Sequence, residues 1–215
     1  MPKLPEAIAY WYFRLNGFLT NVNFLVHPEA QRDSSTDVDI LGVRFPFRSE
    51  NITRPMKDDE IFTRHNNCPY VVFAEVTIGR CKLNGPWLNP DARNMDKVLR
   101  AVGTFKINRN SIVAKSLYRE GIFESKSFIV LLFCIGRETN PELTEKYPRV
   151  PQITYEQALH FIYKRLNSYY REKVQHHQWD SSGHWLWNCS RQSKDSKSFC
   201  ARVKSEAGIR GLTTG

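Results

Sequence analysis

Apolar and polar positions alternate or cluster in four stretches that have the length of β-strands. The alternating pattern predicts strands over residues 21–27 and 37–45, with a polar turn between them. Residues 70–78 and 127–135 are almost continuously apolar, which is typical of strands that are covered on both faces. We therefore expect the last two strands to lie at the centre of a sheet.

Apolar residues that recur every three or four positions predict the helices. The first covers residues 5–19, the second residues 92–105, and a shorter one residues 110–119. A long helix begins at Thr154, a residue type suited to capping, and extends to about residue 177. The order of these elements predicts an α/β fold with a mixed central sheet of about four to five strands and helices on both faces.

Length and composition indicate one domain with its own core. The chain has 215 residues, of which 41% are hydrophobic, and we assign residues 1–190 to a single domain. From residue 191 onward the chain is rich in Ser, Lys, Arg and Gly. We expect this basic tail, residues 191–215, to be disordered.

The charge balance favours a polyanionic partner. The chain carries 31 Lys and Arg against 22 Asp and Glu, a formal net charge of +9. Nucleic acid is the first candidate partner and an acidic membrane surface the second, and the alternative is a basic protein that has no such partner. We expect nucleic acid and no membrane partner, and no stretch is long and apolar enough to cross a bilayer. Five cysteines without a CxxC pair predict reduced thiols in the cytoplasm.

Three carboxylates interrupt the predicted strands. Asp37 and Asp39 begin the second strand, and alternate residues of a strand point to the same face. Glu75 lies within the apolar segment VVFAEVT, where a carboxylate is costly unless it is paired or binds a cation. Asp39 and Glu75 on neighbouring strands would repel each other, and Mg²⁺ or Mn²⁺ would remove that repulsion. The alternative is that both carboxylates form salt bridges with nearby Arg or Lys.

The order of these elements resembles the PD-(D/E)xK nuclease superfamily, which includes restriction endonuclease-like and Holliday-junction-resolvase-like proteins. The resemblance covers roughly residues 5–136, and the helix after residue 154 would complete the fold. Asp39 in DVDILGV matches the metal-binding aspartate of the family, and Glu75 in FAEVTIG matches its second carboxylate. Glu6 matches a glutamate that many members carry in the first helix.

One position departs from the family pattern. Thr77 stands where the family has a lysine that positions the attacking water and offsets charge on the phosphate. Threonine cannot supply that charge, but Arg80 and Lys82 follow closely, and Lys82 would replace the lysine from the loop. Gln31, before the second strand, is a weaker candidate for a polar helper.

The resemblance implies a Mg²⁺- or Mn²⁺-dependent nuclease in defence or repair, with DNA favoured as the substrate and RNA as the alternative. Asp39, Glu75 and the main-chain carbonyl of Val76 would hold the metal, and Glu6 would serve a second metal or orient water. The alternative is a weak or inactive nuclease-like fold that serves as a nucleic-acid-binding or partner-binding subunit. Many proteins of this fold dimerise, so a homodimer or a place in a larger system is expected.

Several further residues are candidates for contact with nucleic acid. Trp87 could stack on a base, and the alternative, which we favour, is that its ring folds over the core. Arg80 and Lys82 lie in the same loop. Lys164 and Arg165 belong to a helical segment that mixes tyrosines with basic residues, which is typical either of a nucleic-acid-binding face or of a solvated one.

Overall fold

A mixed sheet forms the centre of the protein, and the computed structural model describes residues 4–26, 36–64, 68–173 and 180–206. Within these residues the sheet has six strands. They are β1 (Leu19–Val26), β2 (Thr36–Arg44), β3 (Tyr70–Val76), β4 (Ile122–Glu124), β5 (Ile129–Gly136) and β6 (Gln152–Thr154). The strand order is β1-β2-β3-β5-β4, and β6 pairs with β5.

Strand direction divides the sheet into two parts. The strands β1, β2 and β3 form an antiparallel meander, and β5 then runs parallel to β3. A parallel neighbour requires a long crossover, and the helical segment between β3 and β5 provides it. The two apolar segments that were predicted to be central strands are β3 and β5, which pair with each other inside the sheet.

Helices cover the sheet on both faces, as predicted. The helices are α1 (Leu4–Leu15), α2 (Gly85–Leu88), α3 (Asn94–Val102), α4 (Ile107–Glu120), α5 (Pro141–Lys146), α6 (Tyr155–Ser168), α7 (Tyr170–Lys173), α8 (Ser181–Arg191) and α9 (Ser196–Glu206). The first face carries α1, α6, α8 and α9, and the second carries α3 and α4. In β3 the alternation is regular, since Val72 and Ala74 pack on the first face and Val71 and Phe73 on the second.

The predicted cap of the long helix is confirmed. The Thr154 hydroxyl accepts a hydrogen bond from the Gln157 main chain, and the Gln157 side chain accepts one from the Thr154 main chain. This reciprocal pair satisfies two N–H groups that the first turn leaves open. The helix α6 ends at Ser168, earlier than predicted, and residues 174–177 lie outside the described part of the chain.

The prediction of a disordered tail is wrong for residues 196–206, which form α9. Phe199, Cys200 and Val203 of this helix are buried in the first-face core against α6. Polar and charged residues together make up most of the segment, but three apolar side chains on one face are enough to dock it. The domain therefore extends beyond residue 190, and residues 207–215 lie outside the described part of the chain.

The meander is irregular where Asn23 lies beside Asp39. The pairs Val22–Ile40 and Phe24–Val38 flank this position, and Asn23 has a left-handed backbone with φ of 53°. Ile40 packs in the first-face core, whereas Val38, two residues earlier, packs in the second-face core. Strict alternation is thus interrupted next to Asp39, and that Asp37 and Asp39 share a face stays a prediction.

Two further observations concern the whole described chain. No helix in the described residues is long and apolar enough to cross a bilayer. All five cysteines are present as free thiols, four of them buried.

Candidate functional site

Asp39 and Glu75 come together where β2 and β3 separate. The ladder between these strands ends at the Ile40–Ala74 pair, and Asp39 and Glu75 are the next residues of the two strands. The Asp39 Oδ2 atom accepts a hydrogen bond of 2.7 Å from the Val76 N–H. The side chain of Asp39 thus extends across to β3, where it contacts the main-chain N–H of Val76.

Glu75 is held from the second face of the sheet. Its side chain is only 3% exposed. The indole N–H of Trp87 donates to Oε1, and the side-chain amide of Asn84 donates to Oε2. Trp87 lies in α2 and Asn84 immediately precedes this helix, so the turn after β3 brings both donors back to the carboxylate.

The surroundings of Glu75 oppose its ionisation. Burial is the main cause, and the negative charges of Asp39 and Asp37 add to it, so that the pKa of Glu75 rises from 4.5 to about 8. The hydrogen bonds from Trp87 and Asn84 act in the opposite direction and lower the pKa. At neutral pH the site therefore favours either a proton on Glu75 or a cation close to it.

Thr77 has a structural role in the turn that follows β3. Its buried hydroxyl donates a 2.9 Å hydrogen bond to the Arg80 carbonyl. The Thr77 carbonyl accepts a 2.7 Å hydrogen bond from the Tyr155 hydroxyl. Thr77 therefore braces the turn against α6.

The Tyr155 hydroxyl lies where Asp39 and Glu6 both act on it electrostatically. Burial raises the pKa of the Tyr155 hydroxyl, and nearby negative charge at Cys81, Asp39 and Glu6 raises it further. The side chains of Glu6 in α1 and Asp39 in β2 therefore both lie within electrostatic range of one hydroxyl. Tyr155 was not predicted as a site residue, since its contact with the Thr77 carbonyl joins residues 78 positions apart in the sequence.

Lys82 and Arg80 lie on a groove beside the site. The groove has a volume of roughly 510 Å³ and is lined by Val76, Thr77, Arg80, Lys82 and Asn84, among others. The Lys82 side chain is exposed. Arg80 is also exposed and forms an ion pair of 3.4 Å with Glu138. The structure thus brings Lys82 and Asn84, the residue that holds Glu75, onto the same groove.

Two residues predicted to contact nucleic acid are buried instead. Trp87 is 2% exposed and its ring stacks on Phe73, which agrees with the favoured alternative of a ring folded over the core. Arg165 is 0% exposed and pairs with Glu50 at 2.7 Å and Asp58 at 2.6 Å. Carboxylate acceptors hold both side chains inward, Glu75 for Trp87 and Asp58 for Arg165, so neither is exposed for contact with nucleic acid in this structure.

The outcome differs for two other candidates. Lys164, next to Arg165 on α6, is exposed and stays a candidate for contact with nucleic acid. Gln31 lies outside the described part of the chain.

The donor set at Asp39 and Glu75 is compatible with Mg²⁺ or Mn²⁺. Within the described ranges, no group of three or more His, Cys, Asp or Glu side chains is arranged to hold a metal ion. Mg²⁺ commonly binds proteins through one or two carboxylates and completes its shell with water and substrate phosphate. Two mutually repelling carboxylates meet that requirement, and each Glu75 oxygen keeps a lone pair beyond the N–H it accepts.

Comparison with protein-family models, with curated proteins and with solved structures finds no match for this chain.

Proposed function

We propose that this protein is a Mg²⁺- or Mn²⁺-dependent nuclease that hydrolyses phosphodiester bonds, with DNA as the preferred substrate. The observation that carries the proposal is the pair formed by the buried Glu75 and the partly exposed Asp39, whose mutual repulsion a divalent cation would relieve. The net charge of +9 is consistent with a polyanionic substrate.

The topology supports the same proposal. A helix, an antiparallel meander of three strands, a helical crossover and a strand parallel to the third follow one another here. This is the order on which the resemblance to PD-(D/E)xK nucleases rests, and Asp39 and Glu75 occupy its second and third strands. A cytoplasmic role in defence or repair, alone or as a homodimer or subunit, belongs to this proposal.

In the proposed reaction each residue has a separate task. Asp39 and Glu75 would hold the ion, with the Val76 carbonyl as a further ligand, and the ion would polarise the scissile phosphate and activate water. Asn84 and Trp87 fix the orientation of Glu75. Lys82 would offset charge that develops on the phosphate, since Thr77 cannot. Glu6 would orient water from its position within electrostatic range of the Tyr155 hydroxyl.

A second candidate function is a nuclease-like subunit that binds nucleic acid or a partner without cleaving. The observation that favours it is the Thr77 hydroxyl, which is buried and bonded to the Arg80 carbonyl where the family has a lysine. The two functions share a binding surface and differ in whether Lys82 supplies the missing charge.

A cleavage assay separates the two functions. Supercoiled plasmid, single-stranded DNA and RNA are incubated with Mg²⁺, Mn²⁺ or EDTA and with wild type, Asp39→Asn or Glu75→Gln. We expect metal-dependent cleavage of DNA that falls about a hundredfold or more in either variant, because charge stabilisation at the phosphate is lost. Glu138→Gln, an exposed carboxylate near the groove, is the matched control and should cleave as wild type does.

Two further variants sharpen the result. Lys82→Ala should abolish most of the cleavage, and Thr77→Lys in that background should restore part of it. Cleavage that persists in Glu75→Gln would sink the enzymatic proposal. Binding of DNA without cleavage in any metal would favour the non-catalytic subunit.

A further inference from the structure

Tyr170, Trp187 and Arg191 form a stack on the surface, which we call the aromatic platform. The rings of Tyr170 and Trp187 are parallel to within 12°, and their centroids lie 5.6 Å apart. The Arg191 guanidinium lies 3.8 Å from the centroid of Tyr170 and 6.0 Å from that of Trp187. Tyr170 remains 37% exposed, so part of this oriented residue is open to the solvent beside Trp187 and Arg191.

The platform is built on fixed elements. Trp187 and Arg191 are four residues apart on α8 and therefore lie on one face of that helix. Tyr170 begins α7, directly after α6. A 3.0 Å hydrogen bond from the Asn167 amide to the Ser190 hydroxyl connects α6 to α8. The ring of Tyr170 is thus presented at little further cost in conformational entropy.

The neighbouring tyrosine shows that the exposure of Tyr170 is not imposed by the core. Tyr169 turns inward, is buried, and donates its hydroxyl to the Arg54 carbonyl. Tyr170 is the next residue along the chain, and its ring is absent from both apolar cores. Core packing therefore explains Tyr169 but not Tyr170.

Basic side chains surround the platform. Arg171 follows Tyr170, and Lys194 follows the end of α8; both are exposed, as is Arg191 itself. Two acidic residues adjoin them in sequence, Glu172 after Arg171 and Asp195 after Lys194. With Lys173 and Arg191 the basic residues of these two segments outnumber the acidic ones, and the net positive charge suits a phosphate backbone.

We propose that the aromatic platform binds unpaired nucleobases of a single-stranded nucleic acid. An exposed aromatic ring offers a stacking surface for a base, and Arg191 combines a planar cation with a contact to phosphate. Bases within a duplex are already stacked on one another, which is why the occupant is a single strand. The inference rests on the proposed function for the class of partner, but it does not require that the protein cleaves.

Binding measured in EDTA, where a metal-dependent nuclease is inactive, tests the platform separately from catalysis. The probe is a fluorescein-labelled oligothymidylate followed by anisotropy, with oligouridylate and a duplex of equal length as further arms. We expect Tyr170→Ala to weaken oligothymidylate binding roughly tenfold, the scale of one lost base stack. Tyr170→Phe keeps the ring and should bind as wild type does.

Two variants away from the platform serve as matched controls. Phe47→Ala removes an aromatic ring that is 83% exposed, and Arg119→Ala removes an exposed arginine; neither should weaken binding. Arg191→Ala should weaken binding and also reduce the dependence on salt, because one phosphate contact is lost. Quenching of tryptophan fluorescence by the oligonucleotide should diminish in Trp187→Phe.

The outcomes distinguish this inference from the proposed function. If Tyr170→Ala is folded by circular dichroism and binds both single strands as tightly as wild type does, the platform is not a nucleobase site. Duplex binding that depends equally on Tyr170 would also overturn the inference. If Tyr170→Ala weakens oligonucleotide binding but the wild-type protein cleaves no substrate, the inference about the platform is supported and the proposed nuclease activity is not.

Discussion

Two regions of this protein bury a carboxylate, one among arginines and the other among neutral hydrogen-bond donors. In the first region, which we call the arginine cluster, Asp58 pairs with Arg44 at 2.7 Å, with Arg48 at 2.6 Å and with Arg165 at 2.6 Å. Glu50 adds a second carboxylate, which pairs with Arg165. The cluster ties the loop after β2 to α6, and its charges compensate one another within the chain.

The second region is the site around Glu75. Here the two donors to the buried carboxylate, Trp87 and Asn84, are neutral, and the neighbouring charges that raise its pKa are the carboxylates of Asp39 and Asp37. Both regions remove a carboxylate from water. The arginine cluster supplies the opposite charge at the same place, whereas the donors seen at Glu75 in the described residues are neutral. The comparison teaches that burial alone does not mark a functional carboxylate; its neighbours do.

The largest effect is expected from breaking the arginine cluster. Arg165→Ala leaves Asp58 and Glu50 short of a buried partner, and we expect a loss of about 3–5 kcal/mol in the free energy of unfolding. Urea denaturation measures the loss. Arg119→Ala, which removes an exposed pair with Glu120, is the control and should cost no more than about 1 kcal/mol. A loss below that value for Arg165→Ala would mean that the cluster does not anchor the loop.

At the site around Glu75, removing the charge is expected to increase the stability of the protein instead of lowering it. Because the folded state raises the pKa of Glu75 from 4.5 to about 8, the folded protein binds a proton more tightly than the unfolded chain does. This contribution to stability is complete below pH 4.5 and is lost as the pH rises through about 8. Glu75→Gln should remove this dependence and stabilise the protein at pH 8 by about 2–4 kcal/mol without divalent ions.

Thermal melting between pH 5 and pH 8 measures the effect of Glu75→Gln, with Glu138→Gln as the control. Mn²⁺ should raise the melting temperature of wild type at pH 8 and leave that of Glu75→Gln unchanged. An equal response of both proteins to Mn²⁺ would contradict a metal site at Glu75.

A smaller effect is expected from the neutral donors. Trp87→Phe keeps the ring over Phe73 but removes the N–H that Glu75 accepts, and we expect a cost of about 1–3 kcal/mol. Since this hydrogen bond lowers the pKa of Glu75, its loss should raise the pH at which the melting temperature falls. Trp185→Phe removes a comparable N–H donated to the exposed Glu206 and should cost less. Equal costs for the two would show that the Glu75 contact has no special weight.

The smallest effect is expected at Thr77. Thr77→Val preserves shape but removes the hydrogen bond to the Arg80 carbonyl, which should cost about 1 kcal/mol in thermal unfolding. Thr144→Val removes an exposed hydrogen bond to the Asn140 carbonyl and should change stability by only a few tenths of that amount. If Thr77→Val has no effect, the turn after β3 is held by other contacts.

Much of the fold could be predicted because its strongest signals are local. The apolar segments that became β3 and β5, and the cap at Thr154, depend on neighbours within a few residues. The short strands β4 and β6 lack that signal, since three residues give no period and their pairing is set by β5. The helix α9 was not predicted, because the polar and charged composition of its segment indicated disorder although Phe199 and Val203 are apolar.

The site was only partly predictable for a related reason. Glu75 was recognised as a carboxylate in an apolar strand, and this property belongs to the sequence itself. That Trp87 donates to Glu75, and that Arg165 pairs with Asp58 107 residues away, depends on where the chain returns in space. Trp87 and Arg165 were candidates for nucleic-acid contact because of their residue types. The positions of their acceptors in the folded chain place both side chains in the interior instead.

The contact between α1 and α8 has a consequence for synthesis in the cell. The Trp11 indole donates a 2.9 Å hydrogen bond to the Ser182 hydroxyl, 171 residues later, and Gly183 leaves the space that the Trp11 ring fills. During translation, Trp11 therefore emerges long before the segment that covers it. Completion of this core must wait until Ser182 and Gly183 have left the ribosome, and until then a nascent chain exposes an aromatic surface of the kind chaperones bind.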